Sequence, residues 1–329
     1  MGGAPASGRA AAPGVYELVQ RARAGDPRSV GRLISLVEDA SPLLREAMAA
    51  LAPYGGNAAV IGLTGAPGVG KSTSTSALVT AYREAGRRVG VLAVDPSSPF
   101  SGGALLGDRV RMQDHATDSG VYIRSMASRG HLGGLAWSTP QALRVLDAAG
   151  CDVVLVETVG VGQSEVEVAG LADTTVVLLA PGMGDAIQAA KAGILEVGDV
   201  YVVNKADRDG ADSTVRELRH MLTLGPARQP GDWRPPIVRT VASRGDGIPE
   251  VLEALDKHRT WLEETGELRR RRRRRAADEI QAIALTALRE RMGDVRRGAD
   301  LDALADEVVD GRTDPYAAAD RLVTEVTGA

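Results

Sequence analysis

The feature that most constrains this chain is a glycine-rich segment between an apolar run and a helix-compatible run. The segment reads G-x-x-x-x-G-K-S over residues 65–72, after the apolar residues 58–63 and before residues 73–85. Strand, glycine loop and helix in this order predict a phosphate-binding P-loop, because backbone N–H groups and the helix N-terminus converge on phosphate oxygens. Lys71 would reach the β- and γ-phosphates, and the Ser72 hydroxyl would bind Mg²⁺. The predicted nucleotide-binding residues of this segment are Gly65, Ala66, Pro67, Gly68, Val69, Gly70, Lys71, Ser72 and Thr73.

Composition and charge exclude several classes of protein. The chain has 329 residues, of which 44% are hydrophobic, so it can form one large domain or two modest ones. A net charge of −4 and an aromatic content of 3% give no support for binding to nucleic acid or to an anionic membrane. No apolar stretch is long enough to cross a bilayer, and the single cysteine, Cys151, permits no disulfide within the chain. We therefore expect a cytoplasmic protein.

The spacing of apolar residues predicts an α/β fold. Residues 15–51 indicate two helices that are separated by Gly25-Asp26-Pro27. From residue 58 onward, short β-branched runs alternate with helical patterns, which predicts a P-loop NTPase with a mostly parallel, doubly wound sheet. The predicted strands are 60–64, 89–94, 121–125, 153–157, 175–179, 200–204 and 237–240.

Four segments are expected along the chain. They are a disordered leader at 1–14, an N-terminal helical segment at 15–55, the P-loop domain at 56–262 and a C-terminal helical region at 263–329. Seven consecutive arginines occupy residues 269–275. We interpret this run as the solvated face of a helix, since isolated charge runs are usually solvated.

A second motif predicts which nucleobase is bound. Residues 204–207 read N-K-x-D directly after a predicted strand. The Asp207 carboxylate would accept hydrogen bonds from N1–H and the 2-amino group of guanine, and adenine has neither donor. The expected ligands are therefore GTP and GDP. The residues predicted to contact the base are Asn204, Lys205 and Asp207, together with Ala242, Ser243 and Arg244 as a backbone lid.

Carboxylates at strand ends predict a site for Mg²⁺, which prefers hard oxygen ligands. Asp95 and Glu157 end predicted strands, and Asp108 lies in a loop. Together with Ser72 they form the predicted metal set. Gly160 follows Glu157 at the spacing of a γ-phosphate sensor. Gln163 is a candidate for orienting the attacking water, although a polar residue at a helix start explains it equally well. The predicted catalytic residues are Lys71, Asp108, Glu157, Gly160 and Gln163.

Several longer blocks occur in a fixed order. They read V-D-P-S-S-P-F-S-G-G from residue 94, L-G-D-R-V-R-M from residue 106, I-R-S-M from residue 123, R-G-H-L-G-G from residue 129 and E-T-V-G-V-G-Q-S-E from residue 157. In these blocks the chain resembles the MeaB/ArgK family of P-loop GTPases.

The resemblance implies a partner for the chain. Members of this family are chaperones of adenosylcobalamin-dependent acyl-CoA mutases, typically methylmalonyl-CoA mutase, and they work as homodimers. By this resemblance, the helical region 263–329 would be the dimerisation region. They gate loading of the cofactor and protect or reactivate the mutase. The metal-associated positions would fall on Ser72, Asp95, Asp108 and Glu157. The switch that contacts the mutase would fall on residues 181–191, and its candidate residues are Asp185, Gln188 and Lys191.

Two other functions are weighed against this one. A metallochaperone GTPase for nickel or zinc would need a cluster of cysteine and histidine, whereas this chain has one cysteine and four histidines. A small-molecule kinase would favour adenine, which Asp207 disfavours. The sequence leaves open which acyl-CoA mutase is the partner.

Overall fold

A computed structural model of the chain describes residues 14–96, 112–115, 117–128, 138–158, 164–182, 196–224, 229–292 and 299–327. The chain divides into two compact units, Met1–Arg271 and Arg272–Ala329. The first unit contains the sheet and the nucleotide-binding motifs. The second consists of helices.

A seven-stranded parallel sheet forms the centre of the first unit. The strand order is β3-β2-β4-β1-β5-β6-β7. All seven predicted strands are present, and the predicted parallel, doubly wound P-loop fold is confirmed. The strands are β1 (Ala59–Thr64), β2 (Val89–Pro96), β3 (Val121–Ser128), β4 (Val153–Thr158), β5 (Thr174–Leu179), β6 (Val200–Val203) and β7 (Ile237–Arg239).

Helices cover both faces of this sheet because successive side chains of each strand point to opposite faces. In β1, Val60 belongs to one apolar layer, whereas Ile61 and Leu63 belong to the other. The helices of the first unit are α1 (Val15–Arg23), α2 (Pro27–Glu38), α3 (Leu44–Leu51), α4 (Lys71–Glu84), α5 (Thr139–Ala148), α6 (Ser164–Leu171), α7 (Ala211–Leu224) and α8 (Ile248–Glu264). Helices α1, α2 and α5 contribute to the layer of Val60, and α4 and α8 contribute to the opposite layer.

The N-terminal segment forms three helices, so the prediction of two was wrong. The predicted break is present: the Asp26 carboxylate accepts hydrogen bonds from the backbone N–H groups of Arg28 and Ser29, and Pro27 occupies the first helical position. A further break follows Glu38, where Ala40 adopts a positive φ of 46°. That backbone conformation ends α2 before α3 begins.

The C-terminal helices are α9 (Glu267–Met292), α10 (Ala299–Val309) and α11 (Pro315–Thr327). Helix α9 starts in the first unit and continues into the second. In the second unit, α10 and α11 pack together, and each has a buried apolar residue, Leu304 and Ala318. Arg321 forms an ion pair with Glu307 at 2.7 Å. No helix in the described part of the chain combines the length and the apolarity that crossing a membrane requires.

One arginine of the seven anchors the start of α9 to the sheet. The Arg271 guanidinium donates to both carboxylate oxygens of Asp199, at 2.8 and 2.9 Å, and to the carbonyl oxygen of Asp173 at 2.9 Å. Asp199 precedes β6 and therefore lies at the amino edge of the sheet. The run is helical as predicted, but its interpretation as a wholly solvated face was wrong for Arg271, because this side chain pairs with a buried carboxylate.

A buried histidine lies beside the same carboxylate. His258 of α8 is completely buried, its Nδ1 lies 2.8 Å from Thr174 Oγ1, and its Nε2 lies 3.3 Å from Asp199 Oδ1. The rings of Trp233 and Trp261 pack against the imidazole, with centroids at 4.7 and 5.7 Å. Desolvation lowers the pKa of His258 to about 4. The ring is therefore neutral at pH 7.

We predict that Arg271→Ala lowers the free energy of unfolding by about 2 kcal/mol, because it leaves the Asp199 carboxylate buried without its bidentate partner. Urea denaturation followed by tryptophan fluorescence measures this loss. The matched control is Arg270→Ala, which removes an exposed arginine from the same helix turn. Arg270 pairs with Glu267, three residues earlier in the same helix. The expected cost of this substitution is below about 0.5 kcal/mol. Equal losses of unfolding free energy in the two variants would show that Arg271 does not anchor α9 to the sheet.

We also predict that His258 makes stability depend on pH. The ordinary pKa of histidine is 6.5, so on acidification the unfolded chain takes up this proton before the folded one, in which the value is about 4. The contribution of neutral His258 is complete above pH 6.5 and is lost towards pH 4, and it amounts to about 3 kcal/mol. Among the facing charges, Asp199 and Asp173 oppose this depression of the pKa, and Arg271 adds to it.

Urea denaturation between pH 4 and pH 7.5 tests this dependence. The variant His258→Gln carries no titrating ring, so its stability should fall less steeply with acidification than that of the parent. The control His220→Gln, which replaces an exposed histidine, should keep the parent slope. If the stability of His258→Gln falls with acidification as steeply as that of the parent, other groups are responsible for the pH dependence.

Candidate nucleotide-binding site

The P-loop lies at the carboxyl edge of the sheet, where β1 ends and α4 begins. Two positions of the loop require glycine, because other atoms of the protein lie where a Cβ would be. Gly65 has a φ of +143°, and a Cβ there would lie 2.3 Å from the Leu178 carbonyl oxygen. Gly70 has a φ of +94°, and a Cβ there would lie 2.4 Å from Asn204 Nδ2. The loop can therefore close onto β5 and β6 only with glycine at these positions.

Lys71 is the first residue of α4, and its side chain is almost completely buried. Its ammonium group donates to the carbonyl oxygen of Gly65 and, at 3.2 Å, to that of Ala66. The positive charge is therefore held over the loop that would bind phosphate. A buried cation at this place favours the binding of an anion.

Asn204 connects the P-loop to the segments predicted to bind the base. Its amide Nδ2 donates to the Val69 carbonyl oxygen at 2.8 Å. Its Oδ1 accepts from Thr240 Oγ1 at 3.1 Å and from the Ala242 backbone N–H at 3.0 Å. Three segments that are far apart in sequence thus meet at one buried amide. The structure brings together two motifs, G-x-x-x-x-G-K-S and N-K-x-D, at one edge of the sheet.

Lys205 and Asp207 continue from Asn204 along the outside of the P-loop. Lys205 adopts a positive φ of 56°, and its ammonium donates to the Gly68 carbonyl oxygen at 2.6 Å. The exposed carboxylate of Asp207 lies 3.4 Å from the Arg244 guanidinium, which also pairs with Asp246 at 2.9 Å. Asp207 is therefore accessible to an incoming base, and the Arg244 side chain lies beside it.

Ala242 and Ser243 complete the predicted lid. Residues 242–244 form a short 3-10 turn after β7. Ala242 is buried and bonded to Asn204 through its N–H, whereas Ser243 is exposed. The turn is therefore fixed at one end by the same amide that holds the P-loop.

Glu157 lies near the end of β4 and is almost completely buried. Its Oε1 lies 3.3 Å from Ser72 Oγ, and its Oε2 lies 2.7 Å from Thr75 Oγ1. Two hard oxygen donors, Ser72 and Glu157, thus lie together next to the P-loop, which fits the ligand preference of Mg²⁺. Thr75 was missed by the sequence reasoning. Its helical spacing from Lys71 and Ser72, four and three residues, is the signal that identifies it.

Asp95 is placed by its backbone at the carboxyl end of β2. Ala93 of β2 pairs with Glu157 of β4, so Asp95 lies two residues further along the neighbouring strand. The remaining predicted residues lie outside the described part of the chain, and their roles stay predictions. They are Asp108, Gly160, Gln163, Asp185, Gln188 and Lys191.

The chain is similar to several known proteins along most of its length. A family model described as "Methylmalonyl Co-A mutase-associated GTPase MeaB" matches residues 30–296. A Pyrococcus abyssi protein named as a GTPase is 48% identical over 317 residues, which is 95% of this chain and 97% of that one. The mitochondrial methylmalonic aciduria type A homolog of Mus musculus is 40% identical over 64% of this chain and 52% of its own length. A crystal structure named LAO/AO transport system kinase has a TM-score of 0.71 and 28% identity, with 95% of this chain and 97% of that one covered.

We predict that Asp207→Asn changes the base preference of the site. Guanine would lose the carboxylate that accepts its two donors, so the affinity for GDP should fall by about 100-fold. Xanthine carries a carbonyl in place of the 2-amino group, so an amide side chain should favour XDP instead. Competition against a fluorescent nucleotide measures both affinities. The control Asp209→Asn removes an exposed carboxylate two residues away and should bind GDP like the parent; a preference for GDP in Asp207→Asn would contradict the assignment.

Proposed function

Because the chain belongs to the MeaB family of methylmalonyl-CoA mutase-associated GTPases, we propose that it is a chaperone of a cobalamin-dependent acyl-CoA mutase. As a member of this family, the chain is a nucleotide-binding GTPase. In the proposed role, hydrolysis of GTP gates the loading of adenosylcobalamin and protects or reactivates the mutase. Methylmalonyl-CoA mutase is the first candidate, because the family description names it.

The observation that best supports a guanine-nucleotide switch is the hydrogen bonding of Asn204. This one amide bonds to the P-loop through Val69 and to the lid through Ala242. A change on the phosphate side of the pocket is therefore coupled through a buried group to the base side. Such coupling is what a protein needs if the state of its nucleotide is to control another protein.

The oxygen donors of the site fit Mg²⁺. We propose that Ser72 and Glu157 hold the ion together with Asp95 and Asp108. When it is bound, Mg²⁺ neutralises charge on the phosphates during in-line attack by water.

The chain's own residues supply positioning and charge. Lys71 and the P-loop N–H groups bind the phosphates, Gly160 donates to the γ-phosphate, and Gln163 orients the water. The Asp207 carboxylate selects guanine.

Family membership is the basis for proposing a mutase-binding switch and a homodimer, and the surface of α9 also supports the homodimer. We propose that Asp185, Gln188 and Lys191 form the switch that contacts the mutase, and that the protein works as a cytoplasmic homodimer. The α9 side chains of Ile280, Ile283, Leu285 and Leu288 are between 38% and 67% exposed. An apolar surface of this kind supports contact with a second copy of the chain.

The chaperone role is tested with purified methylmalonyl-CoA mutase. Biolayer interferometry with immobilised mutase should give affinities that differ about tenfold between the GDP form and the form with a non-hydrolysable GTP analogue. Mutase should also accelerate GTP hydrolysis, measured as phosphate release. The variant Asp207→Ala should lose the nucleotide dependence, while the control Asp209→Ala keeps it. Equal affinity in all nucleotide states, with hydrolysis unchanged by mutase, would refute the proposal.

A further inference from the structure

Thr75 lies inside the nucleotide site, and none of the motifs includes it. Its side chain is completely buried. The hydroxyl Oγ1 lies 2.7 Å from Glu157 Oε2 and 3.0 Å from the Lys71 carbonyl oxygen. A threonine hydroxyl has one proton, so it donates to only one of these two acceptors at a time. Glu157 Oε2 is the closer of the two acceptors, so the hydroxyl donates its proton to Glu157.

The two oxygens of the Glu157 carboxylate contact different residues of the same helix. Oε2 is held by Thr75 at 2.7 Å, and Oε1 is 3.3 Å from Ser72 Oγ. Ser72 and Thr75 are three positions apart on α4, so they share one face of the helix. The short contact fixes the carboxylate, and the long contact is the one that a metal ion can replace.

We propose that Thr75 is a positioning residue for Mg²⁺ in the nucleotide complex. Its hydroxyl holds Oε2, so that Oε1 stays beside Ser72, where the two proposed metal ligands meet. This inference rests on the proposed metal role of Ser72 and Glu157. Groups that orient a metal ligand typically change the metal affinity by about 10- to 100-fold when they are removed. Thr75 therefore sets how much Mg²⁺ the protein needs to retain its nucleotide.

The test replaces Thr75 by valine, which has the same shape and lacks the hydroxyl. Two readouts are independent of hydrolysis. The first is the affinity of the GDP complex for Mn²⁺, measured by electron paramagnetic resonance. The second is the Mg²⁺ concentration at which the slowing of GDP release by Mg²⁺ is half complete. Thr75→Val should raise both half-saturation values about tenfold. Its GDP affinity in excess EDTA should equal that of the parent, since no metal is present. Thr75→Ser keeps the hydroxyl and should behave like the parent.

The matched control is Thr80→Val on the same helix. The Thr80 hydroxyl donates to the Ser76 carbonyl oxygen at 3.1 Å, so its loss removes a comparable bond within α4. This variant should need the same Mg²⁺ concentration as the parent. Equal Mg²⁺ requirements in Thr75→Val and Thr80→Val would overturn the proposal. If Thr75→Val does not fold, Thr75→Ala gives the same readouts and the same criterion.

A double variant shows whether Thr75 acts through Glu157. In a Glu157→Gln background the valine substitution should add no further loss of metal affinity, because the carboxylate that Thr75 positions is gone. Additive losses would overturn the positioning role. Failure of the proposed metal site looks different: the parent itself would then bind GDP equally with Mg²⁺ and with EDTA, which refutes both proposals. Normal Mg²⁺ dependence of the parent with no effect of Thr75→Val refutes only the role of Thr75.

Discussion

The nucleotide site depends on one buried amide. Asn204 uses its donor for the Val69 carbonyl and its acceptor for Thr240 and Ala242. A carboxylate of the same size has no N–H to donate, and an apolar side chain can make none of these bonds. Because unpaired buried polar groups are costly, the loops on either side have few other ways to pack. These hydrogen bonds hold the P-loop, residues 204–207 and the turn at residues 242–244 together.

The two halves of the pocket are held differently. On the phosphate side, Lys71 and Glu157 are buried, and hydrogen bonds within the protein fix both. On the base side, Asp207 and Arg244 are exposed and form a loose ion pair at 3.4 Å, which is worth little in water. Bonds within the protein therefore fix Lys71 and Glu157, whereas Asp207 has only a weak, exposed partner to give up in the proposed contact with guanine.

Local patterns explain why so much of this fold could be predicted from sequence. Continuous apolar runs mark the strands that are buried on both faces, such as β4 and β5. All seven predicted strands are present in the sheet. The two nucleotide motifs were found because their chemistry is written in consecutive residues. The third N-terminal helix was missed, since the turn at Ala40 has no glycine to mark it. The contacts of Thr75 with Glu157 and of Arg271 with Asp199 join residues 82 and 72 positions apart, and only the folded chain brings them together.

The arginine run has a consequence for how this gene can vary. The Arg271 guanidinium lies beside Asp199, and the residues before and after it in the run are also arginines. Insertion or deletion of a single codon within the run therefore still presents an arginine at that place. Repetition of arginine therefore protects the ion pair against a change of one residue in the length of the run.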